Sequence, residues 1–244
     1  FTRLAPCARL RALTVGTPLL RGDDLPALAR LPALRALHLL SGQSLAMRDA
    51  LAHVLARMPR LHALRFPVRC VDRLAHPLCA ATLQATLAGA ALTRLDLSGS
   101  PLLAGDDLHF LPALPHLTAL ALNWCPALTD AAAHHVRAVR RLHTLTTAWC
   151  PLLSDEFLAA LAAGPAARTL AVLSVAMCPR IGNAGVAHLA CMPCLVEVDL
   201  SGCPRVSPPA LRIAGTVHTR LQWDGKGHHS PASPLPCGDA VWDG

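Results

Sequence analysis

The sequence predicts an α/β solenoid, in which one structural unit repeats along the chain. A six-residue pattern, L-x-x-L-x-L, recurs eight times at intervals of 24 to 31 residues. Hydrophobic residues make up 53% of the chain, whereas aromatic residues make up only 3%. A core filled by aliphatic and small side chains is thin and regular, which favours an array of stacked coils.

The last four positions of each pattern predict a short β-strand. Apolar residues alternate there with other residues, so two side chains of each strand point to one face and the intervening side chains point to solvent. A ninth, truncated unit is predicted around Leu221 and Trp223. The eight complete patterns are Leu10-Leu13-Val15, Leu34-Leu37-Leu39, Leu61-Leu64-Phe66, Leu92-Leu95-Leu97, Leu117-Leu120-Leu122, Leu142-Leu145-Thr147, Leu170-Leu173-Val175 and Leu195-Val198-Leu200.

A turn and a helix are predicted after each strand. Proline ends the strand because it lacks an amide donor, and the turn reads Ser100-Pro101 in one unit and Cys-Pro in four later units. An Asp or Asn then precedes an apolar run, and we expect it to cap the helix. Helices are predicted over Ala131–Val139, Glu156–Ala163 and Ala184–Cys191. The turn cysteines are Cys125, Cys150, Cys178 and Cys203, and the expected caps are Asp23 or Asp24, Asp106 or Asp107, Asp130, Asp155 and Asn183.

Strand, turn, helix and return together predict one coil of a right-handed leucine-rich-repeat solenoid. We expect eight to nine repeats, with a parallel sheet on the concave face and helices on the convex face. The predicted domain spans residues 1–223. Residues 224–244 are rich in Pro, Gly and Ser and cannot build a core, so we expect Trp242 to anchor this tail to the last coil or to a partner.

The Cys-Pro turns and the Asp-led helices resemble the cysteine-containing subfamily of leucine-rich repeats. The segment Leu117–Asp130 is closest to that pattern, and Leu195–Pro204 repeats it. The resemblance implies a protein-binding role, because members of this subfamily include scaffold subunits and the substrate receptors of F-box-type ubiquitin ligases. The chain opens at Phe1 without an initiator Met. The ligase alternative therefore expects an F-box upstream of this chain.

The cysteines predict no metal or cofactor site. Stacked coils hold the turn cysteines about 4.8 Å apart in a row rather than around one ion. We therefore expect them to be small buried side chains. Cys191 and Cys194, near His188, form a lone CxxC pair, which is weak evidence for a metal. Capping already explains the acids, and no phosphate loop, nucleophile elbow or metalloprotease helix is present, so we predict no catalytic residue and no enzyme.

The formal net charge is +7, but binding of nucleic acid requires basic residues clustered on one face. The concave strands carry arginines in the early coils and acids in the late coils, which argues against a nucleic-acid track. A basic convex surface leaves RNA or an acidic protein open as a partner. No apolar run reaches the roughly 18 residues of a membrane span. The arginines on predicted helices and returns are Arg57, Arg60, Arg137, Arg140 and Arg141.

The best binding candidates are side chains that the repeat itself does not require. Trp124 and Trp149 stand one coil apart before the turn cysteine, and we expect them to stack with Met177 at the rim of the concave face. The alternative is that these side chains only shield the turn. We predict a non-catalytic interaction or scaffold subunit of an intracellular assembly, with a ligase receptor and an RNA-associated structural subunit as alternatives. The remaining candidate binding residues are Arg65, Arg94, Asp96, Glu197, Asp199 and Trp242.

Overall fold

The computed structural model is a leucine-rich-repeat solenoid, as the sequence predicts. The structure describes residues 7, 9–16, 25–39, 57–58, 60–66, 91–207 and 218–220. Within these residues, one sheet contains nine strands that pair in parallel and in chain order.

Each coil contributes one short strand to the sheet. The central leucines of the predicted patterns pair across neighbouring strands, for example Leu145 with Leu120 on one side and with Leu173 on the other. This register places equivalent residues of successive coils in rows. The strands are β1 Ala12–Val15, β2 Ala36–Leu39, β3 Ala63–Arg65, β4 Arg94–Asp96, β5 Ala119–Ala121, β6 Thr144–Thr146, β7 Val172–Ser174, β8 Glu197–Asp199 and β9 His218–Arg220.

The helices lie where the apolar runs predict them, with bounds that differ by one to three residues. The predicted helix at Ala131–Val139 is observed over Ala132–Val136, because the amide of Val139 already bonds to the carbonyl of Val136 in a tighter turn. The α-helices are α1 Leu25–Leu28, α2 Ala132–Val136, α3 Asp155–Ala162 and α4 Asn183–Leu189, and the 3-10 helices are Gly105–Leu108, Leu111–Ala113 and Pro165–Arg168.

The repeated leucines form one continuous core between the sheet and the helices. Leu64, Leu95 and Leu145 are completely buried, as are the equivalent residues of the neighbouring coils. Phe110 and Phe157 are the largest fully buried side chains. Because each coil buries its apolar side against the next coil, the core exists only in the stacked array.

The capping prediction is wrong for the later coils, where the acid links one coil to the next. The carboxylate of Asp130 accepts hydrogen bonds from the amide and hydroxyl of Ser154 at 2.8 and 2.7 Å. The carboxylate of Asp155 accepts from the amide of Gly182 at 2.6 Å. The cap of α3 is instead Ser154, whose hydroxyl accepts from the amide of Glu156.

An equivalent hydrogen bond from a side chain to an amide joins the next pair of coils. Asn183 accepts a hydrogen bond from the amide of Ser207 at 2.8 Å. Gly185 makes room for the preceding link, because a Cβ at this position would stand 2.5 Å from Oδ1 of Asp155. These side chains therefore form a ladder of polar contacts on the helical side of the solenoid.

Among the described coils, the fourth is the one in which an acid takes part in a cap. The carboxylate of Asp107 accepts from the amide of Ala104 at 2.8 Å, immediately before the 3-10 helix Gly105–Leu108. Asp106 is exposed on the first turn of that helix.

Several sequence predictions lie outside the described residues and stay predictions. They concern Asp23, Asp24, Leu221, Trp223, and the tail at residues 224–244 with Trp242. Of the helices in the described ranges, none has the length and apolar character that crossing a bilayer demands.

We expect Asp155→Ala to lower the free energy of unfolding by about 1–3 kcal/mol. The substitution leaves the buried amide of Gly182 without its acceptor and removes a link between two coils. The matched control is Glu156→Ala at the next position of the helix, which removes an exposed carboxylate and should change the free energy by less than about 0.5 kcal/mol. Urea unfolding followed by circular dichroism measures both values, and equal losses would contradict the role of Asp155 between coils.

Candidate protein-interaction site

One residue in the turn of each later coil adopts the left-handed backbone conformation. The angle φ is 74° at Gly99 and 70° at Gly202, and it is 59°, 61° and 58° at Trp124, Trp149 and Met177. In this conformation a residue with a Cβ has a strain energy of about 1–2 kcal/mol, whereas glycine is not strained. The two glycines show that the fold does not require a large side chain at this place.

The two tryptophans form an exposed ring stack. The amide of Trp124 donates to the carbonyl of Ala148 at 2.8 Å, and the amide of Trp149 donates to the carbonyl of Ala176 at 2.9 Å. These bonds hold the two coils in register, so the indole rings lie 4.4 Å apart between centroids and 9° from parallel. Trp124 is 49% exposed and Trp149 is half-buried. The predicted stack of the two rings is therefore present in the structure.

Met177 extends this row of side chains over the next coil. A Cβ at Gly202 would stand 2.0 Å from Sδ of Met177, so the methionine lies across the glycine. At the other end, no described atom beyond the glycine and its two chain neighbours lies within 4 Å of the point where a Cβ of Gly99 would stand. The coil before Trp124 thus leaves open space beside the stack. We call Trp124, Trp149 and Met177 the Trp-Met rim.

A buried amide side chain that the sequence does not single out supports the stack. Asn123 is 5% exposed, and its Oδ1 accepts from the amide of Ala148 at 2.8 Å. Its Nδ2 donates to the hydroxyl of Thr146 at 2.9 Å, and its own amide donates to the hydroxyl of Ser98 at 3.1 Å. Asn123 therefore ties three coils together at the residue before Trp124.

The prediction that Asp96 and Asp199 point to solvent is wrong. They are 2% and 1% exposed. Oδ2 of Asp96 pairs with Nε of Arg65 at 2.9 Å, and Oδ1 accepts from the amide of Ser98 at 2.8 Å. Asp199 accepts from the amide of Ser201 at 3.0 Å. A short acid two positions before a serine folds back onto the turn, so these carboxylates stabilise the chain's own turns.

The other predicted binding residues of the concave face do not converge on one point. Arg65, Arg94 and Glu197 are half-buried on the strands. Arg94 begins β4 and Glu197 begins β8, so about 19 Å separates them at the usual strand spacing. Each of these side chains can contribute only to a broad contact along the sheet.

Four buried thiols join successive coils beneath the turns, as the sequence predicts for small buried side chains. Sγ of Cys150 donates to the carbonyl of Leu122 at 3.1 Å, and Sγ of Cys178 donates to the carbonyl of Thr147 at 3.3 Å. Cys125 and Cys203 make the equivalent contacts with the carbonyls of Leu97 and Val175.

Burial keeps these thiols protonated. It raises the pKa of Cys150 to about 12 and the pKa values of Cys125 and Cys203 to about 11, and it also raises the pKa of Cys178. The thiolate is the form that attacks electrophiles and binds metals. The four thiols are therefore suited to structural contacts rather than to chemistry.

The CxxC pair is exposed just after α4. Both Cys191 and Cys194 are free and exposed, and His188 is exposed on the last turn of the helix. Across the part of the chain that the structure describes, no three His, Cys, Asp or Glu side chains are grouped as a metal site would need.

Comparison of the fold identifies leucine-rich-repeat proteins. An internalin from Listeria monocytogenes matches 91% of this chain and 63% of its own length at 17% identity, with a TM-score of 0.57. TLR13 in a complex with ssRNA13 matches 90% of this chain and 37% of its own length at 17% identity, with a TM-score of 0.54. The Rad7 and Elc1 complex in yeast matches at 16% identity over 96% of this chain and 75% of the other, with a TM-score of 0.42.

No family model matches the chain, and no curated protein matches it. The chain spans 63% of the internalin's length and a smaller share of TLR13. At these identities the structural likeness shows the fold.

We expect the folded protein to lose stability above about pH 9 and Cys150→Ser to reduce that loss. The pKa of Cys150 is about 12 in the folded state and near its ordinary value of 9.0 in the unfolded state. The unfolded thiol releases its proton first, so the stabilising contribution is complete below pH 9.0 and is lost as the pH rises toward 12. The loss is up to about 1.4 kcal/mol per pH unit for each thiol.

Urea unfolding between about pH 8 and pH 11 measures this dependence. The chain contains no Tyr, a single Lys and ten Cys, so cysteines dominate the titration in that range. Serine fits at this place, because Ser100 occupies it in the fourth coil and is completely buried. The reciprocal variant Ser100→Cys adds a thiol and should steepen the loss. If the free energy of unfolding depends on pH identically in the wild type and both variants, the raised pKa of the buried thiols is contradicted.

Proposed function

We propose that this chain is a non-catalytic protein-interaction module that binds its partner through the Trp-Met rim and the adjoining concave face. The observation that carries the proposal is the left-handed backbone at Trp124 and Trp149. Gly99 and Gly202 meet the same backbone requirement without strain. A large side chain that strains its backbone and stays exposed is explained best by a contact outside the chain.

The surface next to the stack suits a close protein contact. Ala119 and Ala121 lie on the concave face of β5, and Thr146 lies on the next strand. The two alanines are 7% and 9% exposed and Thr146 is half-buried, so small side chains rather than charged ones line the sheet beside the stack. Tryptophan is enriched among the residues that dominate binding energy, and repeat proteins use such extended concave surfaces for recognition.

We also propose that the chain belongs to the cysteine-containing subfamily of leucine-rich repeats and that it serves as an intracellular scaffold. The buried thiols support the first point, because they occupy one place in four successive coils and donate to the preceding coil. Each of these bonds uses the proton of a reduced thiol. A reducing, intracellular compartment preserves thiols in that state.

Replacing both tryptophans by glycine is expected to leave the stability of the fold nearly unchanged. The double variant Trp124→Gly/Trp149→Gly loses about 0.5–1.5 kcal/mol of ring stacking, together with the contacts of the partly buried Trp149. It regains about 1–2 kcal/mol of backbone strain at each position. We expect the free energy of unfolding in urea to change by about 1 kcal/mol or less. If the rings shield the turn instead, the loss should reach about 3–5 kcal/mol.

The same variant is expected to lose its partner. The wild-type chain on beads should recover a protein from native extract in stoichiometric amount, and the double glycine variant should retain about one-tenth of it or less. Val196→Ala is the matched control, because Val196 is an exposed apolar side chain away from the Trp-Met rim and its loss should not affect recovery. Recovery of the chain alone, or full retention by the double variant, would overturn the proposal.

A further inference from the structure

Basic side chains gather at the edge of the sheet where the strands begin, opposite the Trp-Met rim. The amide of Arg35 donates to the carbonyl of Arg11 at 2.7 Å, and the amide of His62 donates to the carbonyl of Arg35 at 2.8 Å. These bonds place the three residues at one position in three successive coils. All three side chains are exposed. Arg60, also exposed, lies two residues before His62.

A second basic cluster lies at the same edge in the sixth and seventh coils. Arg140 and Arg141 lie just before β6. Arg168 lies four residues before the start of β7, which is the position that Arg140 has before β6. These three arginines are exposed. Between the two clusters, Thr93 and Thr118 take the position of Arg35 in the fourth and fifth coils. We call Arg11, Arg35, Arg60, Arg140, Arg141 and Arg168 the arginine rim.

The arginine rim lacks compensating charge among the described residues. None of its six arginines has a carboxylate partner there, whereas Arg65 on the concave face pairs with the buried Asp96. Asp130 and Asp155 lie near the starts of helices, after the turns at the other edge of the sheet, where they link successive coils. Glu197 begins β8, one coil past the second cluster. The positive potential of this edge is thus available to an external anion.

We propose that the arginine rim binds an extended acidic segment of a partner protein. Guanidinium groups bind carboxylates in a bidentate manner, and exposed arginines are not needed for packing. Three coil steps separate Arg60 from Arg141, or about 14 Å at the usual strand spacing. An extended peptide covers that distance with about four residues. The segment that fits therefore carries two acidic groups separated by a spacer of about four residues.

Charge distribution favours a peptide over a nucleic acid. Single-stranded nucleic acids bind to a continuous basic groove with aromatic side chains on which the bases stack. The arginine rim is interrupted by two coils, and the exposed aromatic side chain of the described residues, Trp124, lies at the other edge. This surface does not use the Trp-Met rim, so it stands independently of the proposed function.

The test uses a fluorescein-labelled peptide with the sequence Glu-Asp-Glu, four Gly or Ser residues, and Glu-Asp-Glu. Fluorescence anisotropy at low salt should detect binding to the full chain, and added salt should weaken it. Arg35→Gln/Arg141→Gln removes one arginine from each cluster and should weaken binding by about tenfold. The matched control is Arg180→Gln/Arg205→Gln, which removes the same charge from exposed arginines beyond the Cys-Pro turns. This control should bind within about twofold of the wild type.

Four further comparisons decide the outcome. A peptide with Gln and Asn in place of the acids should not bind, and a peptide without the spacer should bind more weakly than the full one. Trp124→Gly should bind the peptide like the wild type, which separates this surface from the Trp-Met rim. Equal weakening in the control pair, no binding by the wild type, or tighter binding of a ten-nucleotide RNA than of the peptide would overturn the proposal.

Discussion

Every coil of this chain depends on the next coil to satisfy its polar groups. The carbonyl of His143 accepts two hydrogen bonds from the following coil, from the amides of Ala171 at 2.8 Å and Val172 at 2.9 Å. Near the start of the helix, the carboxylate of Asp155 accepts from Gly182 of the following coil. A buried amide without an acceptor costs free energy comparable to a lost hydrogen bond. A coil therefore cannot shift against its neighbour without losing contacts at several places at once.

This register turns equivalent side chains into rows that run along the solenoid. The buried rows consist of the leucines and the thiols, and packing determines which side chains fit there. The exposed rows lie at opposite edges of the sheet, as the Trp-Met rim and the arginine rim. Gly99 and Gly202 continue the first row without a large side chain, and Thr93 and Thr118 continue the second without charge. The scaffold accepts different side chains in both rows, so these rows are where binding specificity can differ from coil to coil.

The sequence predicted the rows that burial determines and missed contacts between coils. The leucine pattern predicts the strands and their faces because each leucine must be buried whichever coil it belongs to. Asp96 was expected to face solvent from strand alternation, yet its burial depends on Arg65, which lies 31 positions earlier in the sequence. The role of Asp155 depends on Gly182, 27 residues later. Local spacing within one coil does not contain such partners. The ring stack was predictable because Trp124 and Trp149 share one position in the repeat.

Deletion of one whole coil tests whether the fold depends on the register between neighbouring coils. Removing residues 117–141 deletes one complete repeat interval and joins the fourth coil to the sixth in the same register. We expect a shorter chain with an unchanged circular dichroism signal per residue and a cooperative urea transition. The matched deletion of residues 117–128 removes half a coil and should abolish that transition, because it breaks the register of every later strand. Unfolding of the whole-coil deletion, or equal tolerance of both deletions, would show that the fold does not depend on this register.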